Sequence, residues 1–185
     1  MKRVVVAVTG ASGAPYAVAV LRHLSTVDVD LVVTRDAEKV IALETGLTVK
    51  ELSGLAARTW AADDLTAEIA SGSAPYDAAV VVPCSGTTLA KIATGLADNL
   101  VTRVAAVCLK ERRTLVLVPR ETPVGTIALE QMARLSALGV TILPAMPGFY
   151  GKAETLQDLV DFVAGRILDA LRVPNEASRR WRGMD

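Results

Sequence analysis

Runs of consecutive apolar residues alternate along the chain with segments in which apolar residues recur every three or four positions. The runs are rich in Val, Leu and Ala, as in "VVVAV", "AAVVV" and "LVLV". Such runs are typical of parallel strands buried on both faces, and they predict strands at 3–9, 29–34, 77–82, 114–118 and 140–143. The segments of helical period predict helices at 14–25, 35–45, 48–57, 86–94, 99–111, 125–138 and 154–171.

This alternation predicts right-handed crossovers within one parallel sheet. We therefore expect an α/β fold, a three-layer α/β/α doubly wound parallel sheet of Rossmann- or flavodoxin-like type, as a single domain over 1–173. The polar residues 174–185 form a C-terminal tail that is either loose or docked on a neighbouring subunit. Ligands of such sheets bind beyond the carboxyl ends of the strands. A small-molecule site is therefore expected in the loops at 9–15, 34–36, 83–88, 119–123 and 144–151.

Composition narrows the class of protein. The 185 residues are 51% hydrophobic, which suits one domain with a full core. The 20 Lys and Arg are balanced by 20 Asp and Glu, so the basic excess of a protein that binds nucleic acid or anionic membranes is missing. No apolar run approaches the roughly 20 residues of a membrane span, and the first run suits a strand better than a signal peptide. With only two cysteines, a cytoplasmic protein is expected.

Two loops that follow predicted strands have the composition of an anion site. In "TGASGAP", Gly10 and Gly13 permit a tight turn before a helix that Pro15 can begin, although the spacing is not that of a dinucleotide fingerprint. In "PCSGTT", three hydroxyl residues and a glycine stand at a helix start. Free amides at such starts suit a phosphate or a flavin edge. The alternatives are an ordinary tight turn and an ordinary N-cap, which needs a single hydroxyl.

Cys84 lies within the second of these loops but has no base to activate it. His23 is the only histidine, and its position within a helix predicts a surface residue. A Cys-His or Ser-His-Asp site would be incomplete, and no metal-ligand spacing is present. Cys108 stands at helical spacing with apolar residues and is expected to be buried.

Charged residues stand where ligands or the core are expected. Arg103 and Lys110 are seven residues apart and share one side of a helix. Arg120 and Glu121 follow a strand directly, where they suit an anionic substrate that also needs a proton moved.

Two further charges are expected on inward faces of their helices, Glu44 and Arg166, with a snorkelling side chain as the alternative. Phe149 and Tyr150, in a Pro- and Gly-rich loop, suit a lid or a stacking platform.

Five segments together resemble the UbiX-type flavin prenyltransferases. They are "VTGASGAPYA", "PCSGTTLAKIATG", "ADNLVTRVAAVCLKERRTLVLVPRETP", "LGVTILPAMPGFY" and "LVDFVAGRIL", in one unbroken order over nearly the whole chain. The resemblance implies an enzyme that joins a dimethylallyl group from dimethylallyl phosphate to N5 and C6 of reduced FMN, without a metal. It also implies a homo-oligomer, typically a dodecamer with sites at subunit junctions, and release of prenylated FMN to a UbiD-type decarboxylase.

The resemblance also implies roles for individual residues. FMN contacts fall on Gly10, Ala11, Ser12, Thr34, Ser85, Gly86, Thr87, Thr88 and Arg103, where Thr34 replaces an expected serine. Contacts to dimethylallyl phosphate fall on Lys110, Arg120, Tyr150, Arg166 and Trp181. Glu44 and Glu121, with Lys110, are the implied catalytic residues. We propose on chemical grounds that Glu121 protonates the departing phosphate and that Glu44 manages protons around the flavin.

Two other functions compete with this one. A flavin-dependent cysteine decarboxylase shares the fold, but it usually has a catalytic histidine and a "PASANT"-like loop, where this chain reads "PCSGTT". A non-catalytic flavin-binding protein would not need an inward glutamate or the Arg120–Glu121 pair.

Overall fold

The predicted alternation of strands and helices is confirmed in the computed structural model, which describes residues 1–150, 153–178, 180 and 183. In chain order the elements are β1 (Arg3–Val8), α1 (Ala14–His23), β2 (Asp28–Val33), α2 (Arg35–Thr45), α3 (Val49–Ser53), β3 (Arg58–Ala61), a 3-10 turn (Glu68–Ala70), β4 (Ala78–Cys84), α4 (Gly86–Thr94), α5 (Leu100–Glu111), β5 (Thr114–Pro119), α6 (Thr126–Ala137), β6 (Thr141–Ile142) and α7 (Leu156–Ala170).

All strands pair in parallel, in the order β3-β2-β1-β4-β5-β6. The five predicted strands are present, whereas β3 was not predicted. It is a four-residue edge strand in which half-buried and exposed positions alternate, so it has no continuous apolar run. The predicted helix 48–57 is correspondingly shorter and ends at Ser53. Without β3 the strand order would be the flavodoxin-like 2-1-3-4-5, and β3 extends it to the order of dinucleotide-binding folds.

The sheet separates two apolar cores. Alternate residues of β1 face opposite sides, with Val4 and Val6 in one core and Val5 and Ala7 in the other. The first core is completed by buried residues of α1, α2 and α7, and the second by those of α4 and α5. The chain therefore changes face between the neighbouring strands β1 and β4, which opens a crevice at their carboxyl ends.

The described part of the C-terminal tail lies against α7 of the same chain. Asn175 and Arg180 both donate hydrogen bonds to the carboxylate of Asp169, near the end of α7. Among the described residues, none of the helices is both long enough and apolar enough to cross a membrane.

Candidate active site

The crevice between β1 and β4 is closed at its base by Thr9. The Thr9 hydroxyl donates to the carbonyl of Pro83 at 2.8 Å and accepts the amide of Ser85 at 2.8 Å. The loop after β1 is therefore fixed to the start of α4 by one buried side chain. Sequence reasoning missed Thr9, because a single threonine at a strand end carries no recognisable signal.

The start of α4 is capped by the chain itself. Ser85 is the N-cap, and its hydroxyl accepts the amide of Thr88 at 3.3 Å and donates to the Thr88 hydroxyl at 3.0 Å. Two of the four predicted contact residues are thus engaged in capping. Gly86 and Thr87 are exposed in the first turn, where amides have no acceptor within a helix. These two amides are the ones that suit an incoming anion.

The loop after β1 binds the carboxylate of Glu44, an anionic side chain of the same chain. One carboxylate oxygen of Glu44 accepts the amides of Gly13 and Ala14, both at 2.8 Å, at the N-terminus of α1. Gly13 has a φ of 123°, which favours glycine. The anion site that the sequence predicts in "TGASGAP" is therefore present, but in this structure Glu44 binds to it.

The charge of Glu44 is stabilised by these contacts. Burial alone would raise the pKa of Glu44. Hydrogen bonds from the Ser12 hydroxyl and from the two amides, together with the positive charge of Arg120, outweigh burial and hold the pKa of Glu44 below its ordinary value. Glu44 is therefore ionised at neutral pH.

Two predicted flavin contacts lie beside this loop. A Cβ on Gly10 would come within 2.7 Å of the Cβ of Asp36, so the loop packs against α2 only because this residue is glycine. Thr34 donates its amide to Val8 at 3.0 Å and is the N-cap of α2, yet its hydroxyl makes no capping hydrogen bond. That hydroxyl is available to a ligand.

Arg120 joins the end of β5 to the same loop. Its Nε donates to the carbonyl of Ser12 at 3.1 Å. Glu121 is exposed, and its carboxylate accepts the amide of Thr122 at 3.2 Å. Arg120 and Glu121 also line a cleft of about 140 Å³ that Met132 and Met146 border. The structure thus brings the predicted Arg120–Glu121 pair to the crevice.

Lys110 and Arg103 lie on α5, where their side chains lie against the segment 70–72 of their own chain. Lys110 lies in the last turn of α5, beside Glu111 and Gly72, just before β5 begins. Arg120 follows the other end of β5, and a strand of six residues spans roughly 17–20 Å. Arg103 is exposed and donates its Nε to the carbonyl of Ala70 at 2.9 Å. Both side chains are exposed on α5, and the length of β5 separates Lys110 from Arg120.

The aromatic loop packs against α7 at Phe162, one helical turn before Arg166. Tyr150 packs edge-on against Phe162, with ring centroids 5.6 Å apart, and Phe149 is 74% exposed. The inward position expected for Arg166 is wrong, and the alternative of a snorkelling side chain at the edge of the apolar stripe is confirmed. Its side chain is 58% exposed, because it extends from the edge of the apolar stripe to Asp169 at 3.0 Å. Trp181 lies outside the described residues.

Neither cysteine is reactive. Both are buried, and burial raises the pKa of Cys84 to about 12 and that of Cys108 to about 12. The predicted surface position of His23 is confirmed, at the last residue of α1. Within the described ranges, no three His, Cys, Asp or Glu side chains are grouped closely enough to hold a metal ion.

Comparisons with known proteins match most or all of the chain. A family model described as Flavoprotein matches residues 1–168. The flavin prenyltransferase UbiX of Thermoplasma acidophilum is 49% identical over 97% of this chain and 99% of its own. The structure of AnUbiX in complex with FMN and dimethylallyl pyrophosphate has a TM-score of 0.98 and 41% identity, covering 100% of this chain and 99% of that one. A dodecameric FMN-dependent UbiX-like decarboxylase from Escherichia coli O157:H7 has a TM-score of 0.96 and 44% identity, covering 98% and 100%.

Proposed function

The chain belongs to the Flavoprotein family, among the UbiX-type flavin prenyltransferases, and from this premise we propose that it transfers a dimethylallyl group to reduced FMN. The observation that carries the proposal is the meeting of three segments at one crevice. They are the loop after β1 with its ionised Glu44, the start of α4, and the Arg120–Glu121 pair.

The crevice fits a flavin mononucleotide. Gly10 leaves room beside α2, and the hydroxyl of Thr34 is not used in capping. The amides of Gly86 and Thr87 stand at the positive end of a helix, which favours the flavin or its phosphate. We assign the flavin contacts to these residues together with Ala11, Ser12, Ser85, Thr88 and Arg103.

In the proposed reaction the bond between the allylic carbon and the phosphate oxygen breaks, and its electron pair leaves with the phosphate. New bonds form at N5 and C6 of the flavin, which each lose a proton, and the double bond of the dimethylallyl group gains one. Negative charge therefore grows on the phosphate, where Arg120 and Lys110 stabilise it.

Two carboxyl groups handle the protons in this proposal. Glu121 is exposed at the cleft beside Arg120, where it protonates the departing phosphate. Glu44 is ionised and hydrogen-bonded to Ser12, so it accepts a proton from the flavin rather than donating one.

Lys110 acts in the site of a neighbouring copy in this proposal, and so does Arg103. The length of β5 separates Lys110 from Arg120 within one chain. An assembly places the exposed face of α5 of one copy against the crevice of another. The dodecameric relative supports such an assembly. Tyr150, Arg166 and Trp181 complete the site for the dimethylallyl phosphate, and prenylated FMN passes to a UbiD-type decarboxylase.

The cysteine decarboxylase alternative is not favoured. It needs a histidine at the carboxyl edge of the sheet, whereas His23 ends α1 and therefore lies at the opposite edge.

The direct test is anaerobic incubation with reduced FMN and either dimethylallyl phosphate or dimethylallyl pyrophosphate, followed by mass spectrometry of the flavin. We expect a flavin heavier by one C5H8 unit. An unmodified flavin with both donors would rule out the proposed function.

A mixing experiment tests the shared site. Lys110→Ala and Glu121→Gln should each be inactive alone and regain turnover when unfolded and refolded together. Mixed assemblies that stay inactive, while wild-type chains refolded in the same way are active, would contradict a site shared between copies.

A further inference from the structure

We propose that Asp169 is a positioning residue that divides its carboxylate between Arg166 and Arg180, so that docking of the C-terminal tail sets the charge that Arg166 offers to a substrate phosphate. The inference rests on the proposed function, in which Arg166 binds the dimethylallyl phosphate.

Four donors converge on this one carboxylate. Arg180 binds it with both terminal nitrogens, Nη1 to Oδ2 at 2.6 Å and Nη2 to Oδ1 at 2.7 Å. Arg166 donates Nη1 to the same Oδ2 at 3.0 Å, and Asn175 donates Nδ2 to Oδ1 at 3.1 Å. Two guanidinium groups therefore share one oxygen, and the two-point contact of Arg180 is the stronger of the two.

The position of Asp169 is unfavourable without these partners. Asp169 is the last residue but one of α7, where the negative end of the helix dipole disfavours a carboxylate. Hydrogen bonding to Arg180 is the main cause that holds the pKa of Asp169 below its ordinary value. The carboxylate is thus ionised, and its charge is balanced chiefly by the tail.

Residues 174–178 and 180 of the tail follow a defined path along α7. A Cβ on Gly165 would come within 2.8 Å of the Ser178 hydroxyl, so the tail lies where the helix has no side chain. Asn175 also donates Nδ2 to the carbonyl of Val173 at 3.1 Å, and its Oδ1 accepts the amide of Ala177 at 3.3 Å. Arg180 therefore reaches Asp169 from a folded segment, and its contact is part of that fold.

The shared oxygen couples the tail to Arg166. When Arg180 is bound, the charge of Asp169 is already balanced, and Arg166 gives up a single hydrogen bond to reach a phosphate. When Arg180 is absent, Asp169 holds Arg166 as its one remaining cation, and an incoming phosphate must compete with it. By linkage, a phosphate on Arg166 strengthens docking of the tail to the same degree.

Three variants test this coupling: Arg180→Ala, Asp169→Asn and the double variant. The measurements are KM for dimethylallyl phosphate, KM for FMN, and hydrogen–deuterium exchange of the tail with and without dimethylallyl phosphate. Arg180→Ala should raise KM for dimethylallyl phosphate about 2- to 5-fold, because the contacts are partly exposed, and leave KM for FMN unchanged. Asp169→Asn should speed exchange of the tail without raising KM for dimethylallyl phosphate, since Arg166 is released.

The double variant should match Asp169→Asn in KM, because Arg180 acts only through Asp169. The matched control is Arg172→Gln, which removes a nearby exposed positive charge; among the described residues, the hydrogen bonds and ion pairs of the Asp169 carboxylate come from Arg166, Asn175 and Arg180. Its KM and tail exchange should equal those of the wild type.

A role in stability alone would raise KM equally in Arg180→Ala and Asp169→Asn, and that result would overturn the proposal. A tail that exchanges hydrogen no faster in Asp169→Asn than in the wild type would overturn it as well.

If the wild type forms no prenylated flavin, the proposed function fails. The exchange experiment still decides the coupling, with inorganic phosphate as the probe. Slower tail exchange with phosphate in the wild type, but not in Arg180→Ala, supports the coupling, and unchanged exchange overturns it.

Discussion

Charges in the amino half of the sheet and charges at its carboxyl edge are arranged differently. In the amino half, Asp30 of β2 is fully buried and accepts hydrogen bonds from Arg3, Arg58 and Trp60 at 2.6–3.1 Å. This carboxylate ties together β1, β2 and the edge strand β3. Both of its oxygens are engaged by these donors, so the network stabilises the fold.

At the carboxyl edge the charges are only partly engaged. Among the residues that the structure describes, the Arg120 side chain donates one hydrogen bond, to the carbonyl of Ser12, and Glu121 accepts the neighbouring amide of Thr122. Groups that are charged, accessible and held by a single contact can bind a ligand without first breaking a network. The comparison indicates that Asp30, whose two oxygens are occupied by donors of the fold, is a structural charge, whereas Arg120 and Glu121 keep donors and acceptors for a ligand.

The largest effect is expected from Glu121→Gln. Loss of the proton donor should lower turnover with dimethylallyl phosphate about 100- to 10,000-fold. Stability should change by less than about 0.5 kcal/mol, because the side chain is exposed. Steady-state turnover and urea unfolding measure the two quantities. Wild-type turnover in this variant would remove Glu121 from the mechanism.

Asp30→Ala should have the opposite profile. It removes the buried one of the two carboxylates paired with Arg3, leaving only exposed Glu68, and should lower the free energy of unfolding by about 3–5 kcal/mol. Unfolding in urea at neutral pH measures this loss, and Asp28→Ala, an exposed position on the same strand, is the control.

The pH dependence of Asp30 has a definite sign. Burial alone would raise the pKa of Asp30, but hydrogen bonds from Arg3, Arg58 and Trp60 outweigh it, and the pKa is lowered. Its stabilisation is therefore present above about pH 4 and is lost as the pH falls through the lowered pKa. The stability gap between wild type and Asp30→Ala should narrow below pH 4. A gap that stays constant down to pH 2 would contradict this account.

Glu44→Gln should lower both the free energy of unfolding and the turnover moderately. The neutral amide weakens the charge-assisted hydrogen bonds from Gly13 and Ala14, which should cost roughly 1–2 kcal/mol of stability. Turnover should also fall, because the group that accepts a proton from the flavin is lost. Glu38→Gln, an exposed position on the same helix, is the control for helix charge. Equal stability of the two variants would show that the amides do not depend on Glu44.

The smallest effect is expected from Cys84→Ser. Burial raises the pKa of Cys84 to about 12, so the thiol stays protonated at neutral pH. Turnover should change less than about twofold, since the thiol takes no part in the chemistry. Iodoacetamide should leave the native enzyme active and label both cysteines after unfolding. Inactivation of the native enzyme that Cys84→Ser abolishes would reverse this conclusion.

Much of the fold and of the site location could be predicted from the sequence, because continuous apolar runs identify the central strands. Strand β3 was not predicted, since its alternating burial gives no continuous apolar run. The contacts of single side chains were harder to predict from the sequence. The contact between Glu44 and the amides after β1, and the distance between Lys110 and Arg120, depend on how elements remote in sequence are placed. Periodicity reports only the face of an element.

The separation of Lys110 and Arg120 across β5 has a consequence for enzyme concentration. Under the proposed function, a lone chain is an incomplete catalyst, so specific activity follows the law of mass action for assembly. Dilution below the dissociation constant of the assembly should abolish turnover while each chain stays folded. The amount of enzyme in a cell would then switch activity on over a narrow range of expression.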